Sequence, residues 1–147
     1  MSISELANYL DNKGCLLLGC TPKEISKIEE FFNIQLPSTY REFLYSMGKS
    51  AGDFMQGSTV FYKEIFDLKE ASSRILEDDE FRPLPADAFV FWMHQGYQFA
   101  FFILTEGDDP PIYFYQEGTN RKDFDLKETS LSIFLEKQLI LSGLRTA

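Results

Sequence analysis

The stretch DAFVFWMHQGYQFAFFIL, residues 87–104, limits the possible folds more than any other part of this chain. Two β-rich runs flank Gln95-Gly96, the strongest hairpin signal in the sequence. Simple alternation sets Phe89, Phe91 and Met93 on one face and Val90, Trp92 and His94 on the other. In the return run Phe99, Phe101 and Ile103 oppose Ala100, Phe102 and Leu104. Both faces are apolar, whereas an antiparallel sheet with one wet face alternates apolar with polar residues. The hairpin is therefore expected at the centre of its sheet, covered on both sides for much of its length.

Its neighbours follow along the chain. The turn Glu106-Gly107-Asp108-Asp109-Pro110 leads into PIYFYQEG, a third strand, and beyond a polar turn over 117–123 the triplet FDL reads as a short edge strand. TVFYKEIF, residues 59–66, reads as a further strand, and GKSAGDFMQGS before it as a loop without P-loop order. CLLLGC is a short apolar run, either a buried strand or a crossing segment.

Helices are marked by caps and spacing. Ile3, Leu6, Ala7 and Leu10 predict a helix over 3–11, with Ser2 or Ser4 as cap. Thr21-Pro22 with Glu24 is a capping-box start, and Ile25, Ile28 and Phe32 mark the apolar face of a helix over 22–32. Asn33 tolerates the left-handed conformation that closes many helices. Leu36-Pro37 forces an extended break, after which Tyr40, Phe43, Leu44 and Met47 predict a helix over 37–47 that ends at Gly48. A helix over 68–76 runs into four acids, and Thr129-Ser130 caps a last helix carrying Leu131, Phe134, Leu135 and Leu139. No repeat or linker interrupts the pattern. The expectation is an α+β fold over residues 1–147, one domain with an antiparallel or mixed sheet of about five strands flanked by helices.

Charge narrows the function. Net charge is −9, from 23 acidic against 14 basic side chains, so the chain repels phosphate backbones and suits a basic protein partner. The 15 phenylalanines read first as core. Cys15 and Cys20 fall short of the four ligands a zinc site takes; they could close a small loop in an oxidising compartment, but read first as small buried hydrophobes. MSISELANYLDNKG has neither a basic n-region nor an apolar h-region, and no run reaches the ~20 apolar residues of a membrane span. The expected setting is cytoplasmic, with no membrane, nucleic acid, metal or cofactor involved. The sequence sets no oligomeric state.

Catalytic arrangements are wanting. His94 lacks a credible nucleophile nearby in sequence, and no serine sits in a G-x-S-x-G elbow. The acidic clusters could pair for glycosidase chemistry or hold calcium, but the calcium-loop order is missing and solvated loop charge is the default. The chain is read as a non-enzymatic binding module with no catalytic residue. Its expected partner surface comprises Asp53, Glu77, Asp78, Asp79, Glu80, Asp108 and Asp109. Tyr62, Trp92 and Tyr97 are its candidate aromatic anchors, where exposed.

The order IEEFFNIQLPSTYREFLYSMG resembles the signature of the SUKH superfamily, which includes fungal glucan-synthesis regulators of the Smi/Knr type. The resemblance rests on Ile28, Glu29, Phe32, Leu36, Pro37, Tyr40, Phe43, Leu44 and Gly48. It continues through Gly96, the Asp108-Asp109-Pro110 turn, Ile112-Tyr113 and the Thr129-Ser130…Phe134-Leu135 helix, spanning about 21–140. Asn33 stands where glycine is usual, and MGKSAG replaces a more common Asn-Gly ending. The resemblance implies a protein-binding module, in many bacterial members an immunity protein that neutralises a toxin, often a nuclease. The alternative it implies is a regulator or scaffold in wall polysaccharide synthesis.

Overall fold

The computed structural model describes residues 1–118 and 122–146. In chain order the elements are α1 (Ile3–Asn12), β1 (Leu17–Leu18), α2 (Pro22–Phe32), α3 (Ser38–Met47), β2 (Ser50–Ala51) and β3 (Ser58–Thr59). Then come α4 (Tyr62–Asp78), β4 (Ala88–His94), β5 (Gln98–Ile103), β6 (Ile112–Gln116), β7 (Asp125–Glu128) and α5 (Leu131–Leu141). The main sheet has the order β3-β4-β5-β6-β7 with every pair antiparallel, and β1 pairs with β2 in a second, two-stranded sheet. The fold is α+β, as the sequence predicts.

The β4–β5 hairpin turns on Gln95 and Gly96, with φ of 53° and 74°, the positive pair that a tight antiparallel turn uses. It lies inside the sheet and is buried on both faces. Its alternation is not simple. Val90 pairs with Phe101 but Trp92 pairs with Ala100, so Phe91 is the extra residue of a β-bulge. The bulge returns Trp92 and His94 to the face of Phe89 and Phe91, which corrects the expected assignment. Phe91 and Trp92 accordingly both meet Phe134 of α5, with ring centroids 5.4 and 5.8 Å away.

On that face Phe32 of α2 meets Phe89 at 5.3 Å, and Tyr40 of α3 meets Phe102 at 5.3 Å. On the other face Phe81 and Phe124 close over Tyr115 and Phe101, at 4.8 and 5.0 Å. Most of the 15 phenylalanines pack in these two layers or at their edges.

Two further expectations are corrected. Residues 59–66 are not a strand: only Ser58–Thr59 pairs with β4, and α4 begins at Tyr62. Its buried positions Ile65, Leu68, Ser72 and Leu76 follow helical spacing, and burial along that stripe overrides the β preference of the aromatic run. The segment after Gly48 is not wholly loop, because Ser50–Ala51 pairs with Leu17–Leu18. In CLLLGC the buried residues are the cysteines, while Leu16 and Leu18 are exposed. Both cysteines are free thiols, and burial, reinforced by Glu24, pushes Cys20 up to about 11. Residues 119–121 of the predicted polar turn lie outside the described residues.

The Leu-Pro step has a local explanation. Ser2 and Thr21 each form a complete capping box, α2 closes on Asn33 at φ 53°, and Pro37 is the N-cap of α3. Between the two helices the Leu36 N–H has no helical acceptor, and the Glu29 carboxylate takes it at 2.8 Å. The first turn of α3 is joined to the sheet's far loop, where the Asp108 carbonyl accepts from Thr39 N–H at 3.1 Å.

Candidate functional site

The predicted acidic residues fall into three separate places. Asp53 is exposed in the turn between β2 and β3. Glu77, Asp78, Asp79 and Glu80 end α4, and Asp108 and Asp109 precede β6. The α4 group touches Gly118, just past the other end of β6, so the five residues of that strand hold the second and third groups about 15 Å apart.

Two of these carboxylates are engaged within the fold. Asp79 accepts from Tyr115 Oη at 2.5 Å and from Gly118 N–H at 3.2 Å, tying α4 to the end of β6. Asp109 accepts from Ser132 N–H at 2.9 Å and from the Ser132 hydroxyl, supporting the first turn of α5. Neither is a free surface charge.

The Asp79 contact brings in a residue that sequence reasoning missed. Glu117, beside Gly118, joins Glu77, Asp78 and Glu80 in a ridge of four exposed carboxylates. None of the four makes an ion pair among the described residues. Only pairing of β6 with the hairpin places Glu117 here, and no local motif announces it.

The ridge runs against local helix chemistry. Glu77 and Asp78 occupy the last turn of a helix with no basic residue there, where the macrodipole disfavours negative charge. Phe81 N–H reaches Leu76 O at 2.8 Å and Glu80 N–H reaches Glu77 O at 3.1 Å, a Schellman closure. Its left-handed position, φ 54°, is filled by Glu80 rather than glycine. Glu80→Gly is therefore expected to raise stability by about 0.5–1 kcal/mol in urea unfolding while removing one ridge charge. A loss of stability would show that the Glu80 side chain holds the fold.

The aromatic candidates divide. Trp92 is not an exposed anchor: it is 6% accessible, because the bulge at Phe91 turns it under α5. Tyr62 is half-buried beside Leu18, Glu24, Lys49 and Phe61, in a recess of about 500 Å3. The backbone N–H of Thr21 and the Lys49 ammonium, 2.9 Å away, hold the Glu24 carboxyl there below its usual range. Tyr97 is half-buried at the hairpin turn and lines a recess of about 340 Å3 with His94, Gln138 and Trp92. A second recess of about 500 Å3, walled also by Trp92, Gln98, Gln138 and Leu141, adjoins it under α5.

The rim of the double recess is apolar. α5 carries Leu131, Ile133, Phe134, Leu135, Leu139, Ile140 and Leu141, and Leu141 is 76% exposed. Leu126 on β7 is 59% exposed and lines the same opening. Inside, the His94 ring stacks on Trp92 at 5.8 Å, and Ser58 Oγ lies 3.1 Å from His94 Nδ1. The sequence reading found no nucleophile for His94; Ser58 is brought there as its cross-strand partner. Such facing pairs commonly hydrogen-bond in sheets, and no carboxylate orients the imidazole among the described residues. Its evident effect is to fix the ring against Trp92.

Among the described residues no group of three or more His, Cys, Asp or Glu side chains is arranged to hold a metal ion. No described helix is long and apolar enough to cross a membrane. A model of the SMI1 / KNR4 family (SUKH-1) matches residues 19–137. No curated protein matches the chain.

Proposed function

The chain belongs to the SMI1 / KNR4 family (SUKH-1), and on that premise we propose that it is a protein-binding module that neutralises a toxin with a basic surface. The observation that carries this reading is the ridge of Glu77, Asp78, Glu80 and Glu117, four exposed carboxylates without an ion pair among the described residues. Charges placed where they weaken a helix end are suited to an external partner. A nuclease domain grips phosphates with Lys and Arg, and a carboxylate ridge laid over that surface blocks it by occupation, with no bond made or broken. Asp53, Tyr62, Asp108 and Asp109 lie outside the ridge, and the reading gives them no more than a peripheral part.

The test is protection in cells. A toxic domain encoded beside this gene is expected to stop growth when expressed alone, and co-expression of the chain is expected to restore it through a direct complex. Failure to restore growth, with wall-assembly proteins recovered as partners from unchallenged cells, would instead favour the regulatory reading.

A further inference from the structure

We propose that the double recess under α5 receives one large apolar side chain and its adjoining main-chain amides from a loop of the partner, as the anchor of the interface whose charged flank is the ridge. The inference rests on the protein-binding reading above.

Two observations single out this recess. Trp92 and Gln138 are each 6% accessible, and both wall both halves of it. Trp92 Nε1 is buried without a hydrogen-bond partner, and the Gln138 side chain makes no hydrogen bond with a described residue. A buried donor is almost always satisfied, so the idle indole N–H on this wall points to an occupant that satisfies it, and the Gln138 amide beside it is open to the same occupant.

The lining specifies the occupant's chemistry. Gln56, Gln98 and Gln138 offer amides, Trp92 and Phe114 offer aromatic surface, and Leu126 and Leu141 leave an apolar rim. Its charged members, Asp125 and Lys127, balance, and the Lys127 ammonium already lies 5.0 Å over the Phe114 ring. In a chain of net charge −9 this is a neutral patch, suited to an uncharged group that both accepts and donates hydrogen bonds beside an apolar one. A peptide unit with a large apolar side chain has that combination.

Continuity with the ridge supplies the remaining argument. Glu117 N–H donates to the Tyr97 carbonyl at 2.8 Å, so the ridge and the recess rim share a backbone hydrogen bond. The ridge lies on the Tyr115 face and the recess on the α5 face, at the same hairpin-turn end of the sheet, so a partner that wraps this end reaches both. An apolar anchor bordered by charge is the usual anatomy of a tight interface.

Trp92 is the chain's one tryptophan, so its indole N–H gives a single, assignable signal in a 15N-labelled sample. N-acetyl-phenylalaninamide and N-acetyl-leucinamide are expected to move that cross-peak saturably, whereas N-acetyl-lysinamide leaves it in place. Gln138→Leu, of similar volume, is expected to weaken both apolar amides about tenfold. Should that variant not fold, Leu141→Ser alters an exposed rim residue and is expected to weaken the same two probes. An indole signal unmoved by either amide, or moved equally in the folded variants, overturns the proposal. Movement by cellobiose alone also overturns it and marks a sugar site. Charge reversal on the ridge leaves these titrations unchanged. Partner binding sensitive to the ridge, without amide binding, therefore sinks the anchor and keeps the protein-binding reading; amide binding with no protein complex does the reverse.

Discussion

Gly19→Ala is expected to cost about 3–5 kcal/mol of folding stability, read as a fall in the urea midpoint with little change in slope. A Cβ on Gly19 would stand 1.7 Å from the Tyr45 carbonyl oxygen and 2.6 Å from its carbon. Both are backbone atoms near the end of α3, so no side-chain rotation relieves the clash. The segment would have to leave α3, loosening Cys20 N–H to Leu44 O at 2.7 Å and Lys49 N–H to Leu18 O at 2.9 Å. Gly48, at the same crossing, is nearly as tight, with its added Cβ 2.7 Å from Cys20 Sγ. Gly14→Ala is the control: it meets nothing within 4 Å, and its φ of +82° costs only about 1 kcal/mol. Equal losses at Gly14 and Gly19 would contradict the close-crossing account.

Glu29→Ala is expected to cost about 2 kcal/mol, because a buried N–H loses a charged acceptor. Pro37 holds Leu36 extended and outside both helices, and Leu36 is 2% accessible, so water cannot easily replace the carboxylate. Glu29→Gln keeps an acceptor oxygen of nearly the same reach and is expected to lose less than about 1 kcal/mol. Equal losses for the two substitutions would assign the effect to side-chain packing. The contact gives the Ile28-Glu29…Leu36-Pro37 pattern a structural reason: glutamate on the last turns of α2 completes the break before α3.

How legible the fold was depended on which signals are local. Capping side chains are local, and Ser2, Thr21 and Ser130 mark their helices correctly. The start of α4 was hidden because its N-cap is Phe61, which offers no side-chain acceptor, and because its first residues are aromatic. The bulge at Phe91 was hidden for a different reason. A one-residue slip is visible when it moves polar residues onto an apolar face, and this hairpin is apolar on both. With no parity marker, Trp92 is placed on the wrong face and read as exposed, whereas it is buried under α5.

The candidate site was legible only as an acidic cluster. The sequence placed four acids after a helix, but could not separate Asp79, held by Tyr115 and Gly118, from its exposed neighbours. Nor could it bring in Glu117, forty residues along, or assemble the recess from α5, the hairpin and β7. Those depend on sheet pairing.

Affinity for a basic toxin domain that the chain protects against in cells, measured with the chain and with its Glu77→Lys/Asp78→Lys variant, tests the central claim most directly. Both positions are exposed, and positive charge at the end of α4 is expected to add about 0.3–1 kcal/mol of stability per site. Lost binding in a better-folded variant therefore has an interface cause. The account predicts a fall of about tenfold or more at low salt, mostly in association rate and narrowing as salt is raised. Equal affinity of the two proteins at low salt would contradict it.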